Sequence, residues 1–236
     1  MTSETAPDLA IILPVYNEGE AVEPVLRALS AGVRTPHELV VVYDFEGDTT
    51  VPVIARLATE IPNLRGLRND LGRGVLNAMK AGIAGTSAPY VLISMADGSD
   101  EPHVVDPMVA LAKGGADVVS ASRYMRGGRQ IGGPPLKRLM SRVAGLTLHW
   151  FARVPTHDPT NNFKLYSRRF LESTTIESTA GFELGLELTV KATLQKRRIV
   201  EVPTTWRDRT AGQSNFKLRK WLPHYLHWYR VAFLRR

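Results

Sequence analysis

Four short apolar runs rich in β-branched residues, LAIILP, ELVVVY, LRGLR and YVLISM, recur between helical patterns along the first hundred residues. No other feature constrains the fold as tightly. Strands separated by helices make βαβ units, whose parallel sheet is covered on both faces, and near-continuous apolar strands fit that burial. The periodicity predicts helices from about Glu20 to Ala31, after Thr50 and from about Arg73. A further helix and the strand ADVVSAS follow, after which the Gly/Pro-rich RGGRQIGGPP reads as a mobile loop. Beyond it come a helix from about Leu136 to Phe151, a strand or hairpin around NNFKLYS, a helix across ELGLELTVKATLQK and the strand IVEVP. The expected fold class is α/β, a Rossmann-like, mostly parallel sheet with flanking helices, and 236 residues with 44% hydrophobic content can bury one substantial core.

Several function classes lose their support at once. With no cysteine there is neither a disulfide framework nor a thiolate metal site, which is compatible with a reducing cytosol. The opening MTSETAPDLA lacks the layout of a signal peptide, and no run approaches the ~18 apolar residues of a spanning helix, so a cytoplasmic chain that does not cross a membrane is expected. The net charge of +7 sits at one end: eight Lys and Arg against one Asp from Arg207 onward leave 22 bases and 22 acids before it. A neutral body with a basic tail is a localised electrostatic device, and no nucleic-acid partner is expected. GRGVLNAMKAG carries Asn77 where a dinucleotide fingerprint needs its third glycine; G-x-x-x-x-G-K-[ST] and G-x-S-x-G are absent.

What remains is a set of polar residues at successive strand ends: PVYNEGE, YDFEGDTT, RNDLGRG and ADGSDEP. Open α/β sheets bind ligands at the carboxyl ends of their strands. Pro14, Tyr16, Glu18, Asp44, Asn69 and Asp97 are therefore candidates to surround a base, a ribose, a sugar and a metal in one crevice. The competing reading is that these Asp and Asn residues make caps and turns.

With these motifs the chain resembles the family 2 glycosyltransferases of the GT-A fold, in particular the polyprenyl-phosphate, dolichyl-phosphate mannose synthase-like branch. PVYNEGE looks like the family's opening P-x-Y-N-E, VVYDFEGDTT is similar to its base-binding turn, and RNDLGRG through ADGSDEP resembles the helix leading to a D-x-D strand end. ASRYMRGG, DPTNNFKLYSRR, GFELGLEL and EVPTTWRDRTAGQSNFKLRKWL look like the acceptor-side motifs, in the family's order. Three positions depart from the pattern. Met95 stands where the first D-x-D acid is usual, Tyr43 precedes Asp44 in place of a second aspartate, and Asn162 replaces a hairpin glycine, where its tolerance of the left-handed conformation would preserve the turn.

The resemblance implies inverting transfer from a nucleoside-diphosphate sugar to a lipid acceptor, most simply a polyprenyl phosphate. Tyr16, Glu18 and Asp44 would hold the nucleoside and Asp97 an Mg²⁺ or Mn²⁺. Asp100 or Glu101, neither at the family's spacing, is a candidate second ligand, directly or through water. An ionised phosphate acceptor needs cations, not a base. Arg123, Lys137 or Arg138, Arg207, Arg209 and Lys217 are the candidates, and Asp97, Arg123, Asp158, Arg207 and Arg209 form the expected catalytic set. Asp158 ranks as a site residue, Glu183 and Glu187 as structural partners. A hydroxyl acceptor, or a non-catalytic nucleotide-sugar or lipid-phosphate binding protein, are the alternatives.

Residues 1–206 are expected to form a single catalytic domain, 1–97 its nucleotide half and 98–206 its acceptor half, followed by a basic amphipathic extension, 207–236. In that extension Leu218, Trp221, Leu222, Tyr225, Tyr229, Ala232 and Phe233 share one helical face, and Pro223 is expected to split it into two short helices. Such a face suits an anionic membrane surface, with peripheral attachment, or alternatively the protein's own core or a second copy in a homo-oligomer.

Overall fold

The computed structural model describes residues 6–208 and 218–234. The strands are β1 (Leu9–Pro14), β2 (His37–Tyr43), β3 (Leu64–Arg68), β4 (Tyr90–Ile93), β5 (Val118–Ser122), β6 (Arg129–Ile131), β7 (Lys164–Ser167), β8 (Ile199–Pro203) and β9 (Thr205–Arg207). The helices are α1 (Glu23–Gly32), α2 (Val51–Leu57), α3 (Val75–Ala84), α4 (Val105–Lys113), α5 (Pro135–Trp150), α6 (Arg168–Glu172), α7 (Leu184–Leu194) and α8 (Leu218–Leu234). Seven strands form one sheet in the order β3-β2-β1-β4-β7-β5-β8, parallel except for β7, which runs antiparallel to both neighbours. The proposed 1–97 and 98–206 halves share this sheet, because β7 joins β4 to β5.

Strand alternation divides the core into two layers. Leu9, Ile11 and Leu13 face one way onto Leu26, Leu57 and Met108; Ala10 and Ile12 face the other way onto Leu76, Met79 and Leu188. A third cluster lies outside the sheet, where Leu148, Leu186, Val190, Trp228 and Ala232 join α5, α7 and α8. Gly145 permits part of this packing: a Cβ there would overlap the His157 carbonyl oxygen.

The chain leaves β1 toward β2 on one side, while β4 returns to pair with β1 on the other. The loops after β1 and β4 therefore diverge, and a crevice opens at this topological switch point.

Four local expectations need correction. RGGRQIGGPP is not only a loop, since β6 within it pairs in parallel with β9. The first predicted helix begins as a 3₁₀ turn over Gly19–Val22 before α1. Asn162 does not take the left-handed conformation; among the described residues only Asn17, Arg153 and Lys196 do so without being glycine. Pro223 lies inside a single helix; one forfeited backbone bond is tolerated where the side chains on either side are anchored.

Those anchors also settle the apolar face of the tail. Trp221, Trp228 and Ala232 are buried. The Tyr225 hydroxyl donates to the Phe182 carbonyl (2.7 Å), Trp228 Nε1 to Ser178 Oγ (3.2 Å) and the Tyr229 hydroxyl to Thr147 Oγ1 (3.0 Å). The face expected to meet a membrane packs on α5 and α7, the own-core alternative. No helix among the described residues is long and apolar enough to cross a membrane.

Candidate active site

A crevice of about 1670 Å³ runs from the ends of β1, β2 and β4 to the gap between α5 and α8. Its first wall is the turn after β1, clasped by the loop after β2. The buried Asp48 carboxylate accepts the backbone N–H of Asn17 (2.9 Å) and of Thr50 (2.8 Å). Thr50 Oγ1 in turn accepts the N–H groups of Glu18 (3.0 Å) and Gly19 (3.3 Å). Left-handed φ at Asn17 and Gly19 turns the chain sharply, and Tyr16 emerges 53% exposed, edge-on to Phe45. The Arg73 guanidinium stacks over Phe45, 4.7 Å from its ring centre. Pro14, Tyr16, Glu18, Asp44 and Arg73 line this wall, an aromatic and cationic surface suited to a base and its phosphates.

Asn69 does not reach the crevice. It is buried behind Asp44, donating to Asp44 Oδ1 (2.7 Å) and to the Gly72 carbonyl (2.8 Å), while Asp44 Oδ2 accepts the Gly74 N–H (2.8 Å). Asn69 thus fixes the carboxylate that lines the site, a positioning role in place of the expected contact.

The floor is the end of β4. Asp97 Oδ1 accepts the N–H (3.1 Å) and hydroxyl (2.6 Å) of Ser99; Asp100 Oδ2 accepts the Ser94 hydroxyl (3.2 Å) and the Met95 N–H (3.3 Å). Both acids line the crevice, as does the Met95 side chain. Burial, then the neighbouring Asp97 charge, pushes the Asp100 carboxyl up to about 7. Glu101 is turned away, its carboxylate accepting the Thr205 N–H (2.8 Å) and so tying β9 to this loop. Of the two expected second ligands, Asp100 alone is on the crevice. Two mutually repelling carboxylates on one wall suit a small divalent cation that takes its remaining ligands from phosphate and water. Among the described residues no cluster of three or more ligating side chains exists.

The third wall carries Arg123. Its Nε and one terminal nitrogen grip Asp158 at 2.6 and 2.8 Å, and that nitrogen also reaches Ser141 Oγ (3.2 Å), which shares a hydrogen bond with Thr160 (2.8 Å). Asp158 is fully buried and does not line the crevice; burial opposes its ionisation, but Arg123 outweighs that and holds the carboxyl below the usual range. Lys164, equally buried, donates to the carbonyls of Asp158, Pro159 and Asn161, and burial pulls its ammonium down to about 7. Neither Asp158 nor Lys164 is placed to touch a substrate. Asp158 fixes Arg123, which follows β5, and Lys164 holds the loop that presents Thr160 and Asn161.

Among the other expected cations, Lys137 lines the crevice, whereas Arg138 opens into an adjoining pocket. Arg207 is exposed, and only its neighbours Trp206 and Asp208 reach the crevice. Arg209 and Lys217 lie outside the described residues. Glu183 accepts the N–H groups of Ala180 (3.0 Å) and Gly181 (2.7 Å), and Glu187 those of Glu177 (2.6 Å) and Ser178 (2.9 Å). Both are structural. Sequence reasoning missed Arg73 and Ser141, and gave Asn162 a backbone role where its side chain acts. Asn162 accepts the Gly185 N–H (2.8 Å) and donates to the Phe182 carbonyl (3.0 Å). Only the one-turn spacing of Lys137 and Ser141 on α5 could have signalled the serine.

The sheet order, the single reversed strand and the crevice at the β1/β4 switch define a GT-A fold. Glucosyl-3-phosphoglycerate synthase from Mycobacterium tuberculosis, solved in complex with Mn²⁺, uridine diphosphate and glucosyl-3-phosphoglycerate, superimposes with a TM-score of 0.68 over 97% of this chain and 80% of that one, at 18% identity. The chain belongs to glycosyl transferase family 2, whose model matches residues 10–175. Similar curated proteins include a dolichol-phosphate mannosyltransferase of Pyrococcus furiosus, 26% identical over 94% of this chain and 63% of its own length, so this chain spans less than two thirds of that relative. They also include a polyprenol monophosphomannose synthase of Mycolicibacterium smegmatis, 27% identical over 89% of this chain and 85% of its own. A dolichyl-phosphate hexose transferase of Haloferax volcanii is 27% identical over 91% and 89%.

Proposed function

We propose that this protein transfers a sugar from a nucleoside-diphosphate sugar to a polyprenyl phosphate at a membrane surface, with inversion at the sugar carbon. One observation carries the reading: a single crevice joins the Asp97/Asp100 floor to Arg123 and Lys137 and then to an apolar trough. In that trough Leu139, Val143 and Leu186 face Trp221, Tyr225 and Leu226. A soluble hydroxyl acceptor has no use for such a trough. The names of the three relatives, all acting on lipid phosphates, point the same way.

Tyr16, Phe45 and Arg73 hold the base, Glu18 and Asp44 the ribose, and Asp97 with Asp100 an Mg²⁺ or Mn²⁺. When bound, that ion neutralises charge building on the leaving diphosphate. Arg123 and Lys137 hold the acceptor phosphate, with Ser141 beside them. An acceptor oxygen forms the bond to the anomeric carbon as the bond from that carbon to the diphosphate breaks, the electron pair leaving on the diphosphate oxygen. The acceptor is already ionised, so no base is needed, which agrees with Asp158 being committed to Arg123. Residues 1–97 supply the donor side, 98–206 the acceptor side, and α8 of the 207–236 extension closes the trough.

The test is to incubate the protein with polyprenyl phosphate or, in parallel, soluble and glycolipid hydroxyl acceptors, together with Mn²⁺ and a panel of labelled nucleotide sugars, then follow label into each acceptor. Label appearing only on hydroxyl acceptors, or in none, would replace this reading with one of its alternatives.

A further inference from the structure

The charge balance over residues 1–206 conceals a local excess. From Val118 to His157 there is no Asp or Glu, but there are seven bases: Arg123, Arg126, Arg129, Lys137, Arg138, Arg142 and Arg153. Three of them, Arg129, Arg138 and Arg142, meet at a pocket of about 600 Å³ between β6, α5 and the turn after β5, walled by Tyr124, Met125 and Leu139. Each of the three is exposed, and none has a carboxylate partner among the described residues. Arg123 closes the back of the pocket, already committed to Asp158.

The same helix has an exposed apolar stripe. Leu136, Leu139, Val143 and Trp150 recur at helical spacing, 61%, 59%, 50% and 69% exposed, and Phe151 extends the stripe past the helix end at 67%. Leu148 and Gly145, on the opposite side, are buried. On one flank, Leu139, Met140 and Val143 border the mouth of the crevice. On the other stand Arg138 and Arg142, one turn apart. A helix with a bare apolar stripe, an aromatic end and unpaired arginines along one edge has the layout of an element lying in a bilayer interface.

We propose that α5 is the membrane-facing element and that the Arg129/Arg138/Arg142 pocket binds the phosphodiester headgroup of an anionic bilayer lipid. This pocket adjoins the crevice that takes the acceptor phosphate and shares Arg123 with it, but Arg129, Arg138 and Arg142 line the pocket and not the crevice. It deepens the membrane part of the function proposed above and rests on that part alone. The guanidinium groups donate to the headgroup oxygens while Leu136, Trp150 and Phe151 enter the acyl boundary. A headgroup held there presents the crevice mouth to the bilayer, from which a polyprenyl chain enters the trough sideways.

The experiment is sedimentation of the full chain with phosphatidylcholine vesicles, with and without phosphatidylglycerol. Alongside it, thermal shift is measured with UDP or GDP plus Mn²⁺ and with millimolar inorganic phosphate. Binding is expected to depend on phosphatidylglycerol. Because each base near an anionic leaflet is worth about fivefold, R129Q/R142Q should lower the partition coefficient about 30-fold. The nucleotide shift should not change. L136E/W150E should weaken attachment to the phosphatidylglycerol vesicles. Wild-type attachment by R129Q/R142Q would overturn the pocket, and by L136E/W150E the orientation. A phosphate-induced shift that needs Arg129 and Arg142, without vesicle binding, would make this a free-anion site and overturn the lipid assignment. No sugar transfer enters these readouts, so failure of the transferase reading stays distinguishable.

Discussion

Arg123, on the crevice wall, and Asp158, behind it, form a two-pronged ion pair, 2.6 and 2.8 Å from nitrogen to oxygen, with the carboxylate fully buried. Removing one partner of such a pair leaves a buried charge alone, so Asp158→Ala should cost about 3–5 kcal/mol in denaturant unfolding. Replacing both, as Arg123→Met with Asp158→Leu, should return much of that stability and still abolish transfer, because the phosphate loses its guanidinium. A double variant that is stable and fully active would remove Arg123 from the acceptor site.

Lys164 gives the pH dependence a definite sign. Burial holds its ammonium at about 7 in the folded chain, below the 10.5 of an unfolded one. Between those values the unfolded state binds more protons, so this group makes stability rise with pH from about 7 toward 10.5 and contributes no slope below 7. Denaturant midpoints at pH 7 and pH 9 should differ in that direction for the wild type, and the difference should shrink in Lys164→Met. Lys164→Met will itself be less stable at both values, since three buried carbonyls lose their donor.

The metal floor can be probed in both directions. Asp97→Asn should lower transfer by about 100-fold or more, as expected when a stabiliser of leaving-group charge is lost. Met95→Asp places a third carboxylate on the floor at the end of β4, beside Asp97 and Asp100, and should tighten Mn²⁺-dependent nucleotide binding, read by titration calorimetry with and without the ion. An unchanged Mn²⁺ response in both variants would mean that the cation, if used, binds elsewhere.

The sequence made the parallel layers legible, because fully apolar strands such as LAIILP have no other stable setting, and it placed Tyr16, Asp44 and Asp97 at strand ends facing one crevice. It could not show which polar residues point inward. Asn69 and Asp44 both stand at strand ends, yet one lies behind the other. At Asn162 the sequence suggests backbone tolerance, whereas the residue acts through side-chain bonds to Phe182 and Gly185. Summed charge likewise hid the acid-free stretch from Val118 to His157, because acids elsewhere cancel it in the total. An amphipathic period reports that a face is covered, not by what: the face of the tail suits a membrane as well as it suits α5 and α7, against which it packs.

That last ambiguity yields a prediction opposite to the one the tail's composition suggests. Trp221, Trp228 and Ala232 are buried against the body of the protein, and the hydroxyls of Tyr225 and Tyr229 bond to Phe182 and Thr147. Removing residues 218–236 therefore strips cover from α5 and α7 and bares Leu186 and Val190, which lie in the same cluster as Trp228. Losing two buried tryptophans, each worth about 3–5 kcal/mol when cut to alanine, should lower the melting temperature by several degrees or more. The truncated protein should keep or increase its affinity for vesicles, since the stripe on α5 remains and new apolar surface joins it. Sedimentation and thermal melts on the same preparation give both numbers. A truncated chain that melts unchanged and leaves the vesicles would restore the tail as the membrane anchor.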